Sequence, residues 1–470
     1  MDTKKTLAIA ASIFIALGIS GCSEHHTEVD ALDDSTEINR PTENIYTPMP
    51  TIAKVTMDSN RYSILEARGY NDGLAWINYR DKESMNDYWG CIDKSGQLVF
   101  QIFNAPSEEA VDLDNGYSHS CIKDTVDFKN GFGYVICKDC CIIINSEGKE
   151  TARITTDDEN VLAAYGDGYT VIEHCESGFD EVVYSYRIYD STGNIIQEYT
   201  AEDKGSHIAS YCGNGVFRFR IKNNRDDYAV YFSKSNKWIE CEMDGNKIEF
   251  HEDYQAVHIE YLSPKDKDND PRGILTLMNS TGDVRQVNLY RANGWNWSIY
   301  NSGVNEGVCI LDANDGEVAA YNLSEDQIYM LPQTYADKRI DSDYDYLIHD
   351  GVIAIPMKGE DGKTYTGIFN SKLEPVTEPI IGRPAGSFSD KRIVIYRDNN
   401  SYVYDTAGTL VFSTENMEYK NLGAYSNGVS KVIYDEEEKY QIPTYIDVDG
   451  NVLFEDIDMS DIDIIEYPIQ

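Results

Sequence analysis

Apolar and polar residues alternate in short runs along most of the chain, and each run ends in turn-forming residues. The clearest runs are YNDGLAWINY at 70–79 and YWGCIDKSGQLVF at 88–100. A period of two places successive side chains on opposite faces of a strand, so each run predicts a half-buried β-strand. After the first twenty-two residues no segment shows a sustained apolar stripe with a period of 3.6, and Tyr, Val and Ile are enriched, which favours strands over helices.

A short turn motif, Asp-x-x-Gly, divides the second run into two strands. In Asp93-Lys94-Ser95-Gly96 the carboxylate is placed to accept hydrogen bonds from backbone amides of the turn. The glycine is placed to adopt a positive φ, which other residues adopt only at a cost. The motif therefore predicts a tight hairpin.

The same turn returns along the chain at a regular spacing. Its glycine recurs after 52 residues from Gly96 to Gly148, after 45 to Gly193, and after 42 from Gly408 to Gly450. A period near 44 residues with a strand-rich content is the size of one four-stranded propeller blade, about 40 to 50 residues. We therefore predict an all-β fold, a β-propeller-like repeat array with about eight four-stranded blades and a range of seven to nine.

The first twenty-two residues have the order of an export signal. Lys4 and Lys5 precede an apolar run of thirteen residues at 7–19, which is shorter than the roughly twenty that a membrane-spanning helix needs. The following Ile19-Ser20-Gly21-Cys22 resembles the lipobox of bacterial lipoproteins. The resemblance implies cleavage before Cys22 and lipidation of its thiol, so residues 1–21 are predicted to be a lipoprotein signal peptide.

Residues 22–52 form a polar, acidic stretch interrupted by Pro41, Pro48 and Pro50. Such a composition cannot bury enough apolar surface to offset its conformational entropy. We predict a flexible tether here, between the lipidated cysteine and a repeat β-propeller domain at 53–470. The protein is then expected to be lipid-anchored in the cell membrane or outer membrane and to face outside the cytoplasm.

The chain is strongly acidic, with 81 acidic and 40 basic residues and a net charge of −41. A field of this sign repels nucleic acid and anionic lipid headgroups, which excludes both as partners. It favours cations, basic peptides or cationic surface polymers. High solubility alone would also account for it.

Cysteine and carboxylate clusters give little support for metal or redox chemistry. Residues 137–141, Cys-Lys-Asp-Cys-Cys, contain a C-x-x-C, but no second close pair completes a zinc site, and the motif runs into a predicted strand instead of a helix. Residues 341–345 carry carboxylates at alternate positions but lack the glycine and glutamate of an EF-hand. We predict no metal and no cofactor, and we leave free thiols and structural disulfides as open alternatives.

Sequence motifs for catalysis are absent. The chain contains no H-E-x-x-H, G-x-S-x-G or P-loop, and its histidines lie apart from recognisable partner motifs. No catalytic residue is therefore predicted. A propeller can assemble a site from residues far apart in the sequence, so an enzyme remains open.

Trp295 and Trp297 are separated by one residue in the segment NGWNWSIY at 293–300. With a period of two they share one face of a strand, where they could stack on a sugar ring or anchor a protein partner. Packing between blades is the simpler alternative. We treat the pair as candidate ligand-binding residues.

The segment Tyr88–Gly96, preceded by Asp72–Ala75, resembles the WG repeat, also called the KWG repeat, of bacterial surface and cytoplasmic proteins. Only this copy keeps the Trp-Gly pair, and the other units keep the skeleton. The resemblance implies a propeller-like structure with a binding or scaffolding role and no reaction. We therefore expect a surface-displayed, non-catalytic binding or scaffold module for an envelope protein or glycan. The alternatives are a propeller-type hydrolase acting on glycans and an envelope assembly factor.

Replacing Cys22 with alanine is expected to abolish acylation, because the thiol accepts the lipid that holds the protein at the membrane. The variant should move from the membrane fraction to the soluble fraction. Cell fractionation and the intact mass of the mature protein measure both effects. Unchanged partitioning and mass in Cys22→Ala would contradict the lipoprotein assignment.

Overall fold

The computed structural model describes residues 56–104, 122–157, 159–177, 182–200, 209–221, 227–243, 248–250, 254–262, 271, 273–290, 298–312, 317–331, 333–341, 347–417, 419–433, 443–459 and 464–465. The chain divides into two units, Met1–Thr51 and Ile52–Gln470, and every described residue belongs to the second. Throughout these ranges the regular elements are β-strands, and no helix long and apolar enough to cross a membrane is found.

The described strands form nine sheets that follow one another along the chain. Sheets 1 to 3 contain β1 (Tyr62–Ala67), β2 (Leu74–Asp81), β3 (Asn86–Asp93), β4 (Leu98–Asn104); β5 (Ile122–Lys129), β6 (Phe132–Cys137), β7 (Cys140–Asn145), β8 (Glu150–Thr155); and β9 (Asn160–Gly166), β10 (Tyr169–Ser177), β11 (Val182–Tyr189), β12 (Ile195–Thr200). Sheets 4 to 6 contain β13 (Ala209–Tyr211), β14 (Val216–Arg220), β15 (Asp227–Phe232), β16 (Lys237–Glu242); β17 (Gln255–Tyr261), β18 (Gly273–Met278), β19 (Val284–Leu289); and β20 (Ser298–Asn305), β21 (Val308–Asp312), β22 (Val318–Asn322), β23 (Gln327–Leu331).

The last three sheets are less regular than the first six. Sheets 7 to 9 contain β24 (Thr334–Tyr335), β25 (Lys338–Ile340), β26 (Ile348–His349), β27 (Val352–Gly359), β28 (Thr364–Asn370), β29 (Ile380–Ile381); β30 (Arg383–Pro384), β31 (Arg392–Arg397), β32 (Asn400–Asp405), β33 (Leu410–Ser413); and β34 (Asn421–Leu422), β35 (Val429–Ile433), β36 (Tyr445–Asp447). With one exception, neighbouring strands within the nine sheets are antiparallel. The exception is the last described strand, β37 (Ile464–Ile465), which returns to sheet 1 and pairs in parallel with β4.

Alternate side chains of the middle strands enter two different hydrophobic interfaces. In β7, Cys140, Ile142 and Ile144 pack against sheet 1, whereas Cys141 and Ile143 pack against sheet 3. All five side chains are buried. Both faces of such a strand are covered by neighbouring blades, so its sequence is a continuous apolar run. The prediction of half-buried strands is wrong for these middle strands.

Nine hydrophobic clusters join the sheets into a ring. Eight of them connect each sheet with the next one along the chain. The ninth packs Val429 and Tyr445 of sheet 9 against Ile64 and Ile77 of sheet 1. The sheets are therefore blades of a β-propeller, which confirms the predicted fold class. The described residues contain nine blades, at the upper end of the predicted range and one more than the favoured eight.

The predicted Asp-x-x-Gly turns join the third and fourth strands in blades 1, 2, 3 and 8. In blade 1, Oδ1 of Asp93 accepts hydrogen bonds from the amides of Ser95 at 2.8 Å and Gln97 at 3.0 Å, and Gly96 has a φ of 81°. The same two amide bonds to an Asp or Asn oxygen recur in the turns that begin at Asn145, Asp190, Asn279, Asn370, Asp405 and Asp447. The turn prediction is confirmed.

The turn glycine also permits a close approach between consecutive blades. A Cβ atom added at Gly148 would lie 2.5 Å from Cγ of Phe100 in blade 1. At Gly193 the nearest atom would be Cβ of Ala152, at 3.4 Å. A positive φ therefore favours glycine at both positions. At Gly148 the aromatic ring of Phe100 in the preceding blade also leaves no room for a side chain.

Gly148→Ala is expected to destabilise the protein more than Gly193→Ala, although the two glycines have similar φ values of 75° and 81°. The left-handed conformation costs either alanine about 1–2 kcal/mol. The clash with Phe100 adds about 1–3 kcal/mol at position 148 alone. Denaturant unfolding measures the difference, and equal losses would show that the contact with the preceding blade contributes nothing.

Candidate functional site

A cavity of about 450 Å³ lies where blades 2, 3 and 4 meet at the centre of the ring. The first strands of blades 3 and 4, β9 and β13, contact each other, as do those of blades 5 and 6, which places these strands on the inner side of the ring, around its channel. The ends of β5, β9 and β13 and the turns after them form the cavity wall, which we call the channel-mouth cavity. Its charged and aromatic side chains are Asp127, Lys129, Tyr134, Tyr165, Asp167, Tyr211, Arg218 and Glu249.

Three tyrosines form the aromatic side of the cavity. The ring centres of Tyr134 and Tyr165 are 5.4 Å apart, and the ring of Tyr211 lies directly on Gly166, where a Cβ atom would have no room. The hydroxyl of Tyr134 donates to the carbonyl oxygen of Tyr169 at 2.8 Å. Burial raises the pKa of Tyr134 and of Tyr211, so both remain neutral hydrogen-bonding groups.

Asp167 uses one carboxylate oxygen to connect blades 3 and 4. It begins a tight Asp-Gly turn in which Asp167 and Gly168 both have positive φ. Its Oδ2 accepts hydrogen bonds from the hydroxyl of Tyr211 at 2.5 Å and from the amide of Asn214 at 3.0 Å. Its Oδ1 is buried and has no hydrogen-bond partner among the described residues. One oxygen is therefore structural, and the other keeps unused acceptor capacity.

Asp127 repeats this arrangement at the end of β5. Its Oδ2 accepts a hydrogen bond from Nδ2 of Asn71 at 3.1 Å, across the boundary with blade 1. Its Oδ1 lies 3.8 Å from Nη1 of Arg68, is buried, and makes no hydrogen bond within the described part of the chain. Desolvation raises the pKa of Asp127, and the nearby Arg68 opposes this effect. The cavity thus holds a second carboxylate with unused acceptor capacity.

Positive charge in the cavity is limited. Lys129 forms an ion pair with Glu249, which lies on the segment before blade 5. Arg218 of β14 is 5% exposed, and its guanidinium lies over the ring of Tyr228, 5.0 Å from the centroid. The cavity therefore combines three carboxylates, two cations and three tyrosines. This set suits a ligand that donates hydrogen bonds and presents an apolar C–H face.

None of the residues singled out from the sequence is among the described residues that line this cavity. Cys22, Trp295 and Trp297 lie outside the described residues, so the lipidation and tryptophan sites stay predictions. Cys137 and Cys140 flank a hairpin of blade 2, and β7 begins at Cys140, which confirms the strand expected there. Within the described ranges, no group of three or more His, Cys, Asp or Glu side chains could hold a metal ion.

Sequence reasoning missed the cavity residues. Asp167 precedes a turn glycine, as Asp72 does in blade 1, whereas Asn130 and Asn214 occupy this position in blades 2 and 4. A change between acid and amide at a fixed repeat position is the signal that could have pointed to the site.

The ring of blades defines the class of protein, a β-propeller with a cavity at its channel mouth. No protein-family model matches the chain, and no curated protein matches its sequence. Among solved structures, apo AztD from Citrobacter koseri is similar, with 13% identity, coverage of 68% of this chain and 85% of that chain, and a TM-score of 0.31. The WD40 domain of Neurospora crassa Pan2 shows 12% identity, coverage of 75% and 94%, and a TM-score of 0.25. Similarity at these TM-scores carries no argument about function.

Asp127→Asn is expected to stabilise the protein near neutral pH and to lose this advantage in acid. Because burial raises the pKa of the Asp127 carboxyl above its value in the unfolded chain, ionisation of this group opposes folding. The penalty disappears as the pH falls below the folded pKa and the carboxyl is protonated, whereas asparagine does not titrate. Thermal unfolding of both proteins from about pH 7 to about pH 4 measures the difference. A stability difference between the two proteins that does not change with pH would contradict this prediction.

Proposed function

We propose that this chain is a lipoprotein of the bacterial envelope, related to WG-repeat proteins, that binds a glycan without catalysis in the channel-mouth cavity. The export signal and the lipobox-like Ile19-Ser20-Gly21-Cys22 support the location. A lipid on Cys22 would hold the protein on the cell membrane or outer membrane, facing outside the cytoplasm. Glycans and proteins of the envelope are then its neighbours.

The observation that carries the proposal is the pair of unused carboxylate oxygens beside tyrosine rings. Asp127 and Asp167 each use Oδ2 to hold the blades, while each Oδ1 makes no hydrogen bond to the described residues. Sugar hydroxyls donate hydrogen bonds to such oxygens, and the C–H face of a sugar packs on an aromatic ring. A cavity of about 450 Å³ also lies in the size range of small-ligand sites.

The β-propeller gives this cavity a rigid wall. Its lining comes from several blades, which the hydrophobic clusters between sheets 1 and 5 hold in register. A preformed site loses little conformational entropy on binding. The geometry therefore favours recognition of a defined end of a glycan over a loose surface contact.

Calorimetric titration of the purified chain with oligosaccharides released from envelope polysaccharides tests the proposal. Asp167→Asn is expected to weaken binding by at least about tenfold, since a hydrogen bond to a charged group contributes about 1.5–3 kcal/mol. Tyr165→Ala should also weaken binding, because it removes an aromatic ring on which a sugar can pack. Glu360→Gln removes an exposed carboxylate of blade 7, far from the cavity in the sequence, and should bind as the wild type does. Unchanged affinity in both cavity variants would exclude this cavity as the binding site.

Ionic strength distinguishes a glycan from a protein partner. Binding of a neutral glycan should be nearly indifferent to salt. A basic protein attracted by the net charge of −41 would be released as salt rises, because exposed charges are screened beyond about 8 Å at physiological ionic strength. If the chain binds a basic envelope protein and this binding weakens as salt rises, the partner is a protein and not a glycan.

A hydrolase is the alternative that one feature of the cavity favours. A carboxyl whose pKa is raised by burial, as that of Asp127 is, suits a general acid. Turnover of an oligosaccharide by the purified chain, lost in Asp127→Asn with binding retained, would overturn the non-catalytic proposal.

A further inference from the structure

Cys137 and Cys140 face each other across the hairpin between β6 and β7. The first ends one strand, the second begins the next, and a two-residue bend separates them. Their thiols are close enough for each to influence the pKa of the other, and neither cysteine forms a disulfide. Opposite residues of antiparallel strands have Cα atoms about 4.5–5.5 Å apart, which is within the range that a disulfide requires.

Arg153 of β8 activates one of the two sulfurs. Its Nη1 lies 3.8 Å from Sγ of Cys140, and Glu150 holds the guanidinium through contacts of 2.8 Å and 3.2 Å. The hydrogen bond from Cys137 and the positive charge of Arg153 lower the pKa of Cys140. The same hydrogen bond and burial raise the pKa of Cys137. Cys140 is therefore the better nucleophile of the pair.

Two other described cysteines allow a comparison. Cys212 and Cys309 lie in the clusters that join blades 4 and 5 and blades 5 and 6, and they are buried, as Cys137 and Cys140 are. Burial raises the pKa of Cys212 to about 11 and that of Cys309 to about 12. These residues serve as internal controls for a thiol without activation.

We propose that Cys137 and Cys140 form a reversible disulfide by exchange with a small-molecule disulfide such as oxidised glutathione. The Cys140 thiolate attacks one sulfur of the small disulfide, and one small thiolate leaves. Cys137 then loses its proton to solvent and attacks Sγ of Cys140, which expels the second small thiolate. The two protein thiols are oxidised by two electrons, and one small disulfide is reduced to two thiols.

The proposal is independent of the function of the channel-mouth cavity. The pair belongs to the cluster that joins blades 1 and 2, and an exported chain meets disulfide oxidants that a cytosolic chain does not. The bridge would close a loop of only two intervening residues, so it constrains the unfolded chain little. We therefore expect a readily reducible bond instead of a structural cross-link.

The proposed disulfide can be tested by equilibrating the folded, purified chain in buffers with graded ratios of reduced to oxidised glutathione. After acid quenching and alkylation, the peptide that contains both residues should lose two hydrogen atoms at a defined ratio, and dithiothreitol should restore them. Cys212 and Cys309 should stay alkylatable throughout. Cys137→Ser should trap one glutathione on Cys140, whereas Cys140→Ser should leave Cys137 largely unmodified.

Two further variants complete the test. Cys141→Ser should retain the disulfide, because this neighbour points into the interface with blade 3. Arg153→Gln should slow oxidation several-fold while the circular dichroism spectrum is unchanged. If Cys137 and Cys140 stay reduced at every redox ratio in the folded protein, the proposal is wrong. It is also wrong if Cys309 is oxidised at the ratio that oxidises the pair.

Discussion

The interface between the last blade and the first is the contact on which the ring depends. Eight interfaces join blades that are neighbours in the chain, but Ser426 donates to the carbonyl oxygen of Tyr70 across 356 residues. Bringing such distant segments together costs loop-closure entropy. The cluster around the fully buried Tyr445 and the pairing of β37 with β4 offset that cost with apolar burial and strand hydrogen bonds.

Closure also explains why residues of different blades line the channel-mouth cavity. In a ring of blades the first strands converge, so the residues at their ends, Asp127 and Asp167, come from different blades yet line one cavity. Each carboxylate uses one oxygen to hold a neighbouring blade, while its other oxygen is buried without a hydrogen bond to the described residues. Burial raises the pKa of Asp127, so ionisation of this carboxyl opposes folding.

Local sequence was a good guide to turns and a poor guide to the site. Asp93 and Gly96 predicted their hairpin correctly because a capping carboxylate and a positive-φ glycine act within a few residues. The cavity depends on the angle between blades and on a segment such as 248–250, which approaches blade 2 from far along the chain. The placement of Cys137 and Cys140 at the two strand ends of one hairpin likewise needed the structure, since their spacing alone does not give it.

The amino-acid sequence alone determined the strand pattern, the turn chemistry, the repeat length and the acidic surface, because each depends on residue type or on separations of a few residues. Only the tertiary structure decided that the described residues form nine blades, that residues such as Cys141 and Ile142 enter opposite interfaces, and that Asp127 and Asp167 meet at one cavity. The physical reason is that ring closure is set by the packing between whole sheets. A period of about 44 residues is compatible with several blade numbers, and packing selects one.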